Sequence, residues 1–277
     1  MRTWLITGAS RGFGTLITEK ILNAGEQVIA TARKPETLTE RFGQHPNLLA
    51  VKLDVNSAED AAHAAAAGFK RFGRIDILVN NAGYGLLGAV EEASETETEN
   101  LFRTNVFGVL NVTNAVLPLM RQQNSGHIIN ISSIGAVQAY VGWGVYGATK
   151  FAVEGITEAL AQELAPLGIY ATVVQPGFFR TDFLDEQSLV RSNRQIADYH
   201  QTAGAMRNFA DDYNHAQPGD PVKFAEAIYQ LAQAEKPPVR LPLGSDTVAR
   251  VHEKTGQVLA ELEQWLPLSL STDLTAV

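Results

Sequence analysis

The 277-residue sequence contains no cysteine, which excludes disulfide bridges, thiolate metal sites and cysteine nucleophiles. It also lacks an excess of positive charge, because 22 lysine and arginine residues stand against 30 aspartate and glutamate residues. We therefore expect no general affinity for nucleic acid or for an anionic membrane. No stretch reaches the length of about 18 apolar residues that a membrane helix needs, and no signal-peptide pattern follows Met1, so we expect a cytoplasmic protein.

Short apolar runs rich in valine and isoleucine alternate with longer helical patterns along the chain. Such alternation is typical of a parallel sheet with helices on both faces. The runs predict seven strands at residues 4–7, 27–31, 48–53, 75–80, 127–131, 170–174 and 238–243. Because no shift in composition marks a boundary, we expect residues 1–277 to form a single Rossmann-type domain, an α/β fold with a doubly wound, mostly parallel sheet.

Residues 183–219 are the least regular part of the sequence and follow the sixth predicted strand. A connection of this length in a compact domain is usually functional, so we predict a substrate lid there. The helical pattern at residues 245–265 and the tail at residues 266–277 complete the chain. This C-terminal region, residues 245–277, is expected to cover either the lid or a neighbouring molecule.

The first predicted strand runs directly into a glycine-rich turn that opens a helical pattern. The turn reads Thr7-Gly8-Ala9-Ser10-Arg11-Gly12-Phe13-Gly14. Glycine lets backbone N–H groups approach a pyrophosphate, and the N-terminus of the following helix adds partial positive charge. The turn therefore predicts dinucleotide binding, with an ordinary flexible loop as the alternative.

The residues after the second strand bear on the choice of nicotinamide cofactor. In dinucleotide-binding folds an acidic residue at this place binds the ribose 2′-hydroxyl, whereas an arginine accommodates a 2′-phosphate. Arg33 follows the strand, no acidic residue stands beside it, and Arg11 lies in the glycine-rich turn. The two arginines predict NADP(H) rather than NAD(H), unless both are solvated surface residues.

Tyr146 and Lys150 stand four residues apart in a helical pattern and therefore share one helix face. The pKa of a phenol is ordinarily about 10, and an adjacent cation can lower it by roughly 1 to 3 units. Tyr146 would then exchange a proton near neutral pH. The carboxyl ends of parallel strands form the site, and two serines follow the fifth predicted strand. Ser133 is the candidate to bind a substrate carbonyl through its hydroxyl, and Ser132 is the alternative.

The T-G-x-x-x-G-x-G spacing of the turn and the thirteen residues from Ser133 to Tyr146 resemble the short-chain dehydrogenase/reductase family. The resemblance extends from about residue 3 to residue 181 with its motifs in order. It implies Asn105, Ser133, Tyr146 and Lys150 as the catalytic set. In the direction of reduction, Ser133 polarises the carbonyl oxygen and Tyr146 protonates it. Lys150 would lower the Tyr146 pKa and bind the nicotinamide ribose, with Asn105 holding a water behind it; a surface amide is the alternative for Asn105.

The resemblance also implies cofactor contacts beyond the turn and the catalytic residues. These positions are Asp54 and Val55 after the third strand, Asn81, Ala82 and Gly83 after the fourth, and Pro176, Gly177 and Thr181 after the sixth. Acidic strand ends and Pro-Gly turns also occur for purely structural reasons. No metal is expected, since the mechanism needs no Lewis acid and the six histidines are scattered.

Aromatic and apolar residues of the lid and of the segments around the catalytic motifs predict an apolar ketone or secondary alcohol as substrate. Packing of the lid is the alternative reading of these residues. Three lid arginines, Arg191, Arg194 and Arg207, would instead select an acidic substrate if they face the site.

Apolar residues spread around the helical patterns at residues 101–120 and 151–164, more widely than one buried stripe requires. Together with the family resemblance, they imply a homodimer or homotetramer. Two other functions stay open: a non-catalytic NADP(H)-sensing or scaffold protein, and a nucleotide-sugar epimerase or dehydratase.

Overall fold

The computed structural model describes residues 1–274. Its strands are β1 Thr3–Ile6, β2 Gln27–Ala32, β3 Leu48–Lys52, β4 Ile77–Asn80, β5 Gly85–Leu87, β6 Gly126–Ile131, β7 Ile169–Pro176, β8 Leu189–Arg191 and β9 Arg240–Leu243. Its α-helices are α1 Gly12–Asn23, α2 Glu36–Phe42, α3 Ala58–Phe72, α4 Glu95–Phe102, α5 Gly108–Gln123, α6 Gly144–Leu164, α7 Ala205–Tyr213, α8 Pro221–Leu231 and α9 Ser245–Leu270.

Seven of these strands form a parallel sheet in the order β3-β2-β1-β4-β6-β7-β9. The seven strands predicted from the sequence all occur, with bounds within two residues of those predicted. The expected Rossmann-type α/β fold is confirmed. Chain order reverses between β1 and β4, and in such sheets a ligand binds beyond the carboxyl ends of the strands at this reversal.

Alternation along β1 divides the core between the two faces of the sheet. Trp4 and Ile6 pack with residues of α1 and α8, whereas Leu5 packs on the other face with residues of α3 and α5. Successive side chains of a strand point to opposite faces, so a strand that is buried on both sides must be apolar throughout. This requirement explains the unbroken apolar runs that made the strands predictable.

The predicted lid, residues 183–219, contains a short strand and a helix. Its strand β8 pairs in parallel with β5, so that Gly85 lies opposite Leu189 in a separate two-stranded sheet. The helix α7 follows within the same segment. Neither three-residue strand was predicted, because such a short run carries no readable periodicity.

The C-terminal helix α9 extends five residues beyond the predicted end at residue 265. The predicted tail is therefore helical up to Leu270, and its last three residues, 275–277, lie outside the described residues. Within residues 1–274, no helix combines the length and hydropathy that crossing a membrane would require.

Candidate active site

The glycine-rich turn joins β1 to α1 at the carboxyl edge of the sheet. Gly8 and Gly12 have φ angles of +66° and +52°, which favour glycine over residues with a side chain. A Cβ atom on Gly14 would lie 2.2 Å from the carbonyl oxygen of Gly8, so a larger residue would have to move the backbone. The turn thus needs its glycines, and α1 begins within it at Gly12, an arrangement that fits a pyrophosphate.

Hydrogen bonds fix the turn to the segment that follows β4. The Asn81 amide donates to the carbonyl oxygens of Thr7 at 3.0 Å and Gly8 at 3.1 Å. The Thr7 hydroxyl in turn accepts from the backbone N–H groups of Asn81 and Ala82, each at 3.0 Å. The structure therefore brings two of the predicted cofactor-binding segments into direct contact.

Arg11 and Arg33 are close enough for their charges to interact. Burial and the charge of Arg33 both lower the pKa of Arg11. The charges of Asp182 and Asp185 partly offset this effect on Arg11. Two neighbouring guanidinium groups fit the 2′-phosphate of NADP(H). Arg11 also donates to the backbone oxygen of Gln187 at 2.6 Å and to its side-chain oxygen at 3.2 Å, which links the turn to the lid. Ser10, beside Arg11, is exposed.

The Phe13 ring serves packing. Its centroid lies 3.7 Å from that of Phe224 on α8 and 5.5 Å from that of Phe179 after β7. These contacts hold the turn against α8. Because the ring is engaged in packing, only the backbone of Phe13 would make the predicted contact with the cofactor.

Tyr146 lies in the first turn of α6 and is buried. Its ring centroid lies 5.6 Å from that of Trp143 and 5.7 Å from that of Phe183. Burial raises the pKa of Tyr146 to about 12, while a hydrogen bond with Ser133 acts in the opposite direction. The lowered pKa expected from the spacing to Lys150 is thus wrong for this structure, because withdrawing the phenolate from water has the larger effect.

Lys150 lies one turn further along α6, and its Nζ is 5.7 Å from the centroid of the Tyr146 ring. The ammonium donates to the carbonyl oxygen of Ile131, at the end of β6, over 3.0 Å. Burial lowers the pKa of Lys150 to about 8, and the charge of Glu154 opposes this lowering. The structure thus brings Tyr146 and Lys150 together on one helix face.

The two serine candidates after β6 have different surroundings. Ser133 is partly exposed, and its hydroxyl oxygen accepts from the backbone N–H of Gly135 at 3.0 Å. As a hydrogen-bond partner, the same hydroxyl lowers the pKa of Tyr146. Ser132 is buried. Ser133 is therefore the serine whose hydroxyl lies beside the phenol, which supports the choice made from the family spacing.

Asn105 lies in a π-helical turn, Arg103–Phe107, that separates α4 from α5. Its side chain is buried, so the surface-amide alternative is wrong. The amide donates to the carbonyl oxygen of Tyr84 at 2.9 Å and to the Thr149 hydroxyl at 3.2 Å, and it accepts from the backbone N–H of Tyr84 at 3.1 Å. A Cβ atom on Gly83 would lie 3.1 Å from Asn105 Oδ1, which places Gly83 against the same amide.

Asp54 and Val55 follow β3 at the carboxyl edge of the sheet. An oxygen of the Asp54 carboxylate accepts from the backbone N–H of Asn56 at 3.0 Å. The carbonyl oxygen of Val55 accepts from the Asn111 amide of α5 at 2.9 Å. The bond from Asn111 fixes the segment on α5, and its contact with the cofactor stays a prediction.

The segment after β7 is held by the start of α9. Pro176 ends β7, and a Cβ atom on Gly177 would lie 2.1 Å from Oδ1 of Asp246. The Asp246 carboxylate accepts from the backbone N–H of Phe178 at 2.7 Å. Thr181 follows on the same segment and immediately precedes a short 3-10 helix. The C-terminal helix therefore anchors the segment that carries three predicted cofactor residues.

The three lid arginines face carboxylates of the same chain. The pairs are Arg191 with Asp211, Arg194 with Glu91 and Arg207 with Glu92. Glu92 is fully buried, and its hydrogen bond with Arg207 is the main reason that its pKa falls to about 2. Because carboxylates of the same chain already pair with these arginines, the arginines no longer support an acidic substrate.

The family model described as short chain dehydrogenase matches residues 2–191, which is more than half of the chain. This span contains the glycine-rich turn and all four predicted catalytic positions.

The chain belongs to the short-chain dehydrogenase family. Similarity to oxidoreductases of the family continues beyond the matched span. Oxidoreductase BOA17 of Botryotinia fuckeliana is 38% identical over 274 residues, which cover 98% of this chain and 99% of that relative. The 3-ketodihydrosphingosine reductase of Bacteroides thetaiotaomicron is 38% identical over 265 residues, which cover 95% of this chain and 92% of that relative.

Solved structures of short-chain dehydrogenases have the same fold. One from Streptomyces avermitilis superimposes with a TM-score of 0.91 at 41% identity, covering 99% of this chain and all of its own. A serine dehydrogenase in complex with NADP+ superimposes with a TM-score of 0.73 at 30% identity, covering 87% of this chain and 94% of its own.

Two acidic residues at this dehydrogenase site were not predicted. Glu154 lies four residues after Lys150, and this helical spacing was a signal that the sequence contained. Asp246 reaches Phe178 from 68 positions further along the chain, and no local pattern indicates that contact.

Proposed function

We propose that this short-chain dehydrogenase is an NADP(H)-dependent enzyme that interconverts a carbonyl compound and a secondary alcohol, with Tyr146 as the acid/base. The observation that carries the proposal is the meeting of Ser133, Tyr146 and Lys150 beyond the carboxyl end of β6. The partly exposed hydroxyl and the buried phenol and ammonium supply a hydrogen-bond donor, a proton and a positive charge to a reacting oxygen.

The choice of NADP(H) rests on Arg11 and Arg33. The glycine-rich turn fits the pyrophosphate, and the two arginines supply positive charge for a 2′-phosphate. When bound, NADP(H) supplies or accepts the hydride. The NADP+ complex of the related serine dehydrogenase agrees with this choice.

In the direction of reduction, Tyr146 donates its proton to the carbonyl oxygen while Ser133 donates a hydrogen bond to the same oxygen. The pKa of about 12 keeps the phenol protonated at neutral pH, as a proton donor must be. The nearby Lys150 ammonium stabilises the phenolate that remains, and its own pKa of about 8 keeps it charged at neutral pH. In the direction of oxidation the same groups act in reverse, with the phenolate as base.

We further propose an apolar substrate. The aromatic rings of Trp143 and Phe183 surround Tyr146, and Leu86 is buried in the same cluster. Such a wall favours an apolar carbonyl compound over a charged one. The name of the Bacteroides thetaiotaomicron relative, a reductase of a 3-keto compound, agrees with carbonyl reduction.

The test is the absorbance of NADPH and NADH at 340 nm with aldehydes, aromatic ketones, diketones and steroids as substrates. Preferential oxidation of NADPH with any of them is the expected result. Tyr146→Phe should lower turnover at least about 100-fold and still bind NADPH, because it removes the phenolic hydroxyl that carries the transferred proton and keeps the ring. Substantial turnover by that variant would refute the role of Tyr146.

Two results would favour the other functions. Tight NADPH binding without turnover of any compound in the panel would support a sensor or scaffold. Copurified NAD together with no net oxidation of NADPH would support an epimerase or dehydratase.

A further inference from the structure

Glu154 is a buried carboxylate one helical turn beyond Lys150 on α6. Only 7% of its surface is exposed. Burying a carboxylate costs free energy unless other groups replace the water that it loses, so a buried glutamate needs hydrogen-bonding or charged partners. Residues four apart on a helix lie on the same face, so Glu154 and Lys150 are neighbours.

Two strands of the sheet supply the partners of Glu154. The Gln175 amide of β7 donates to Oε1 at 3.1 Å, and the Arg240 guanidinium of β9 donates to Oε2 at 3.2 Å. Arg240 also donates to the exposed Glu158, one turn further along α6, at 2.7 Å. Arg240 therefore connects the buried Glu154 to a carboxylate at the surface.

The charge of Glu154 acts on Lys150. Burial lowers the pKa of Lys150, and the Glu154 carboxylate raises it again. The other groups around Lys150 are the Tyr146 phenol on α6, the Ile131 carbonyl on β6 and the Asn105 amide near Gly83. Burial raises the pKa of Glu154 itself, whereas Ser132, Gln175 and Arg240 lower it and so favour its ionised form.

We infer that Glu154 is a positioning residue: its carboxylate, held by Gln175 and Arg240, keeps the Lys150 ammonium charged inside the buried site. The inference rests on the proposed function, because it concerns the cation that supports Tyr146. Glu154 itself touches neither substrate nor cofactor in this scheme and acts only through Lys150.

Removing the negative charge of Glu154 shifts the pKa values of Lys150 and Tyr146 in the same direction. A nearby negative charge raises the pKa of an ammonium and of a phenol alike, so its loss lowers both. Reduction needs a charged Lys150 and a protonated Tyr146. Loss of either proton slows reduction, and without Glu154 this loss begins at a lower pH.

The experiment compares the pH dependence of kcat/KM for carbonyl reduction in the wild type and in Glu154→Gln. The alkaline limb is expected to move down by about 1 pH unit. Glu158→Gln is the matched control, because it removes an exposed carboxylate from the same helix and the same arginine; its limb should coincide with that of the wild type. Glu154→Asp keeps the charge and should return the limb toward the wild-type position.

Glu154→Met is a second neutral variant in case glutamine does not fold, since a flexible methionine fills irregular buried space and Arg240 keeps Glu158 as a carboxylate partner. An equal loss of kcat/KM at every pH, with the alkaline limb unmoved in the folded neutral variants, would show that Glu154 only supports the fold. That result would overturn the inference.

NADPH binding, followed by its fluorescence as a function of pH, separates the inference from the proposed function. If no carbonyl compound is reduced by the wild type, the proposed reaction fails, but the binding curves still report on Lys150. Affinity should then decline at a lower pH in Glu154→Gln than in Glu158→Gln. Coinciding binding curves for these two variants would overturn the role of Glu154 independently of turnover.

Discussion

Burial raises the pKa of the Tyr146 phenol, whereas its hydrogen bond with Ser133 lowers it. The sequence contains the neighbouring cation but not the packing of Trp143 and Phe183 around the ring, and the packing has the larger effect. A raised pKa suits a group that must hold its proton until a carbonyl oxygen is in place. Residue spacing therefore indicated which groups meet, whereas their protonation depends on contacts that only the folded chain provides.

Arg33 is the residue on which the proposed preference for NADP(H) depends most directly. Arg33→Asp should weaken NADPH binding roughly 10- to 100-fold, because it replaces a charge-assisted contact to the 2′-phosphate by a repulsive one. NADH binding should change little. Fluorescence titration of both cofactors measures the effect, and Lys34→Asp, the same charge change one residue further along, is the control. Equal losses for NADPH and NADH would contradict the assignment.

Glu92 is predicted to stabilise the folded lid through Arg207. In Glu92→Gln the buried guanidinium keeps its charge without a counter-ion, so we expect the free energy of unfolding to fall by about 3 kcal/mol at pH 7. The pKa of Glu92 is lowered from 4.5 to about 2 in the folded chain, chiefly by its hydrogen bond with Arg207. Its stabilising effect is therefore fully present above about pH 4.5 and is lost as the pH falls toward 2.

Urea denaturation between pH 7 and pH 2 measures this difference. The gap between the wild type and Glu92→Gln should narrow as the solution becomes more acidic. Glu91→Gln is the control, because Glu91 is exposed and its loss should change stability by less than about 0.5 kcal/mol. A gap that does not depend on pH would show that Glu92 acts through its shape and not through its charge.

Among the elements, the turn between β1 and α1 leaves no room for a side chain at Gly14. In Gly14→Ala the new methyl group would lie 2.2 Å from the backbone oxygen of Gly8, and a backbone atom cannot move aside as a flexible side chain can. We expect a loss of about 1 to 3 kcal/mol in stability, together with weaker NADPH binding. Thermal unfolding and fluorescence titration measure the two effects.

Gly256→Ala on α9 is the matched control for that substitution, because Gly256 lies in a helix outside the proposed α5 and α6 contact. No atom lies within 4 Å of the position that its methyl group would take, and alanine favours a helix over glycine by up to about 1 kcal/mol. Its melting temperature should stay the same or rise. If both variants melt alike and bind NADPH alike, the close approach at Gly14 does not constrain the turn.

The elements differ in how well their sequence predicts them. Strands buried on both faces need apolar side chains at every position, and the seven strands of the main sheet could be read from that pattern. The segment around Asn105 was expected to be one uninterrupted helix, but a π-helical turn interrupts it there and places the amide between Tyr84 and Thr149. Such a turn depends on tertiary contacts, and propensity alone does not reveal it.

The predicted lid illustrates the same limit at longer range. Its strand β8 is held by β5, about a hundred positions earlier in the chain, and the buried pair of Glu92 and Arg207 ties α7 to the same region. The local sequence around one member of these pairs does not reveal which distant residues it contacts. The lid position was predictable from its irregular composition, and its attachment to the rest of the fold was not.

For the whole molecule, we predict self-association through α5 and α6. Phe107, which immediately precedes α5, is 56% exposed and Phe151 on α6 is 45% exposed, although burying aromatic rings of this size is strongly favourable. Light scattering after gel filtration should give a mass of two or four times 30.0 kDa. Phe151→Glu should shift the molecule toward the monomer, because it places a charge in the proposed contact.

Leu259 on α9 is exposed to a similar extent, at 55%, and provides the comparison that locates the contact. Leu259→Glu should leave the mass unchanged if α5 and α6 form the interface. A wild-type protein of 30.0 kDa would exclude stable self-association at the concentration measured. Dissociation by Leu259→Glu but not by Phe151→Glu would move the interface to the C-terminal helix, whose role in anchoring the segment after β7 would then couple association to the cofactor site.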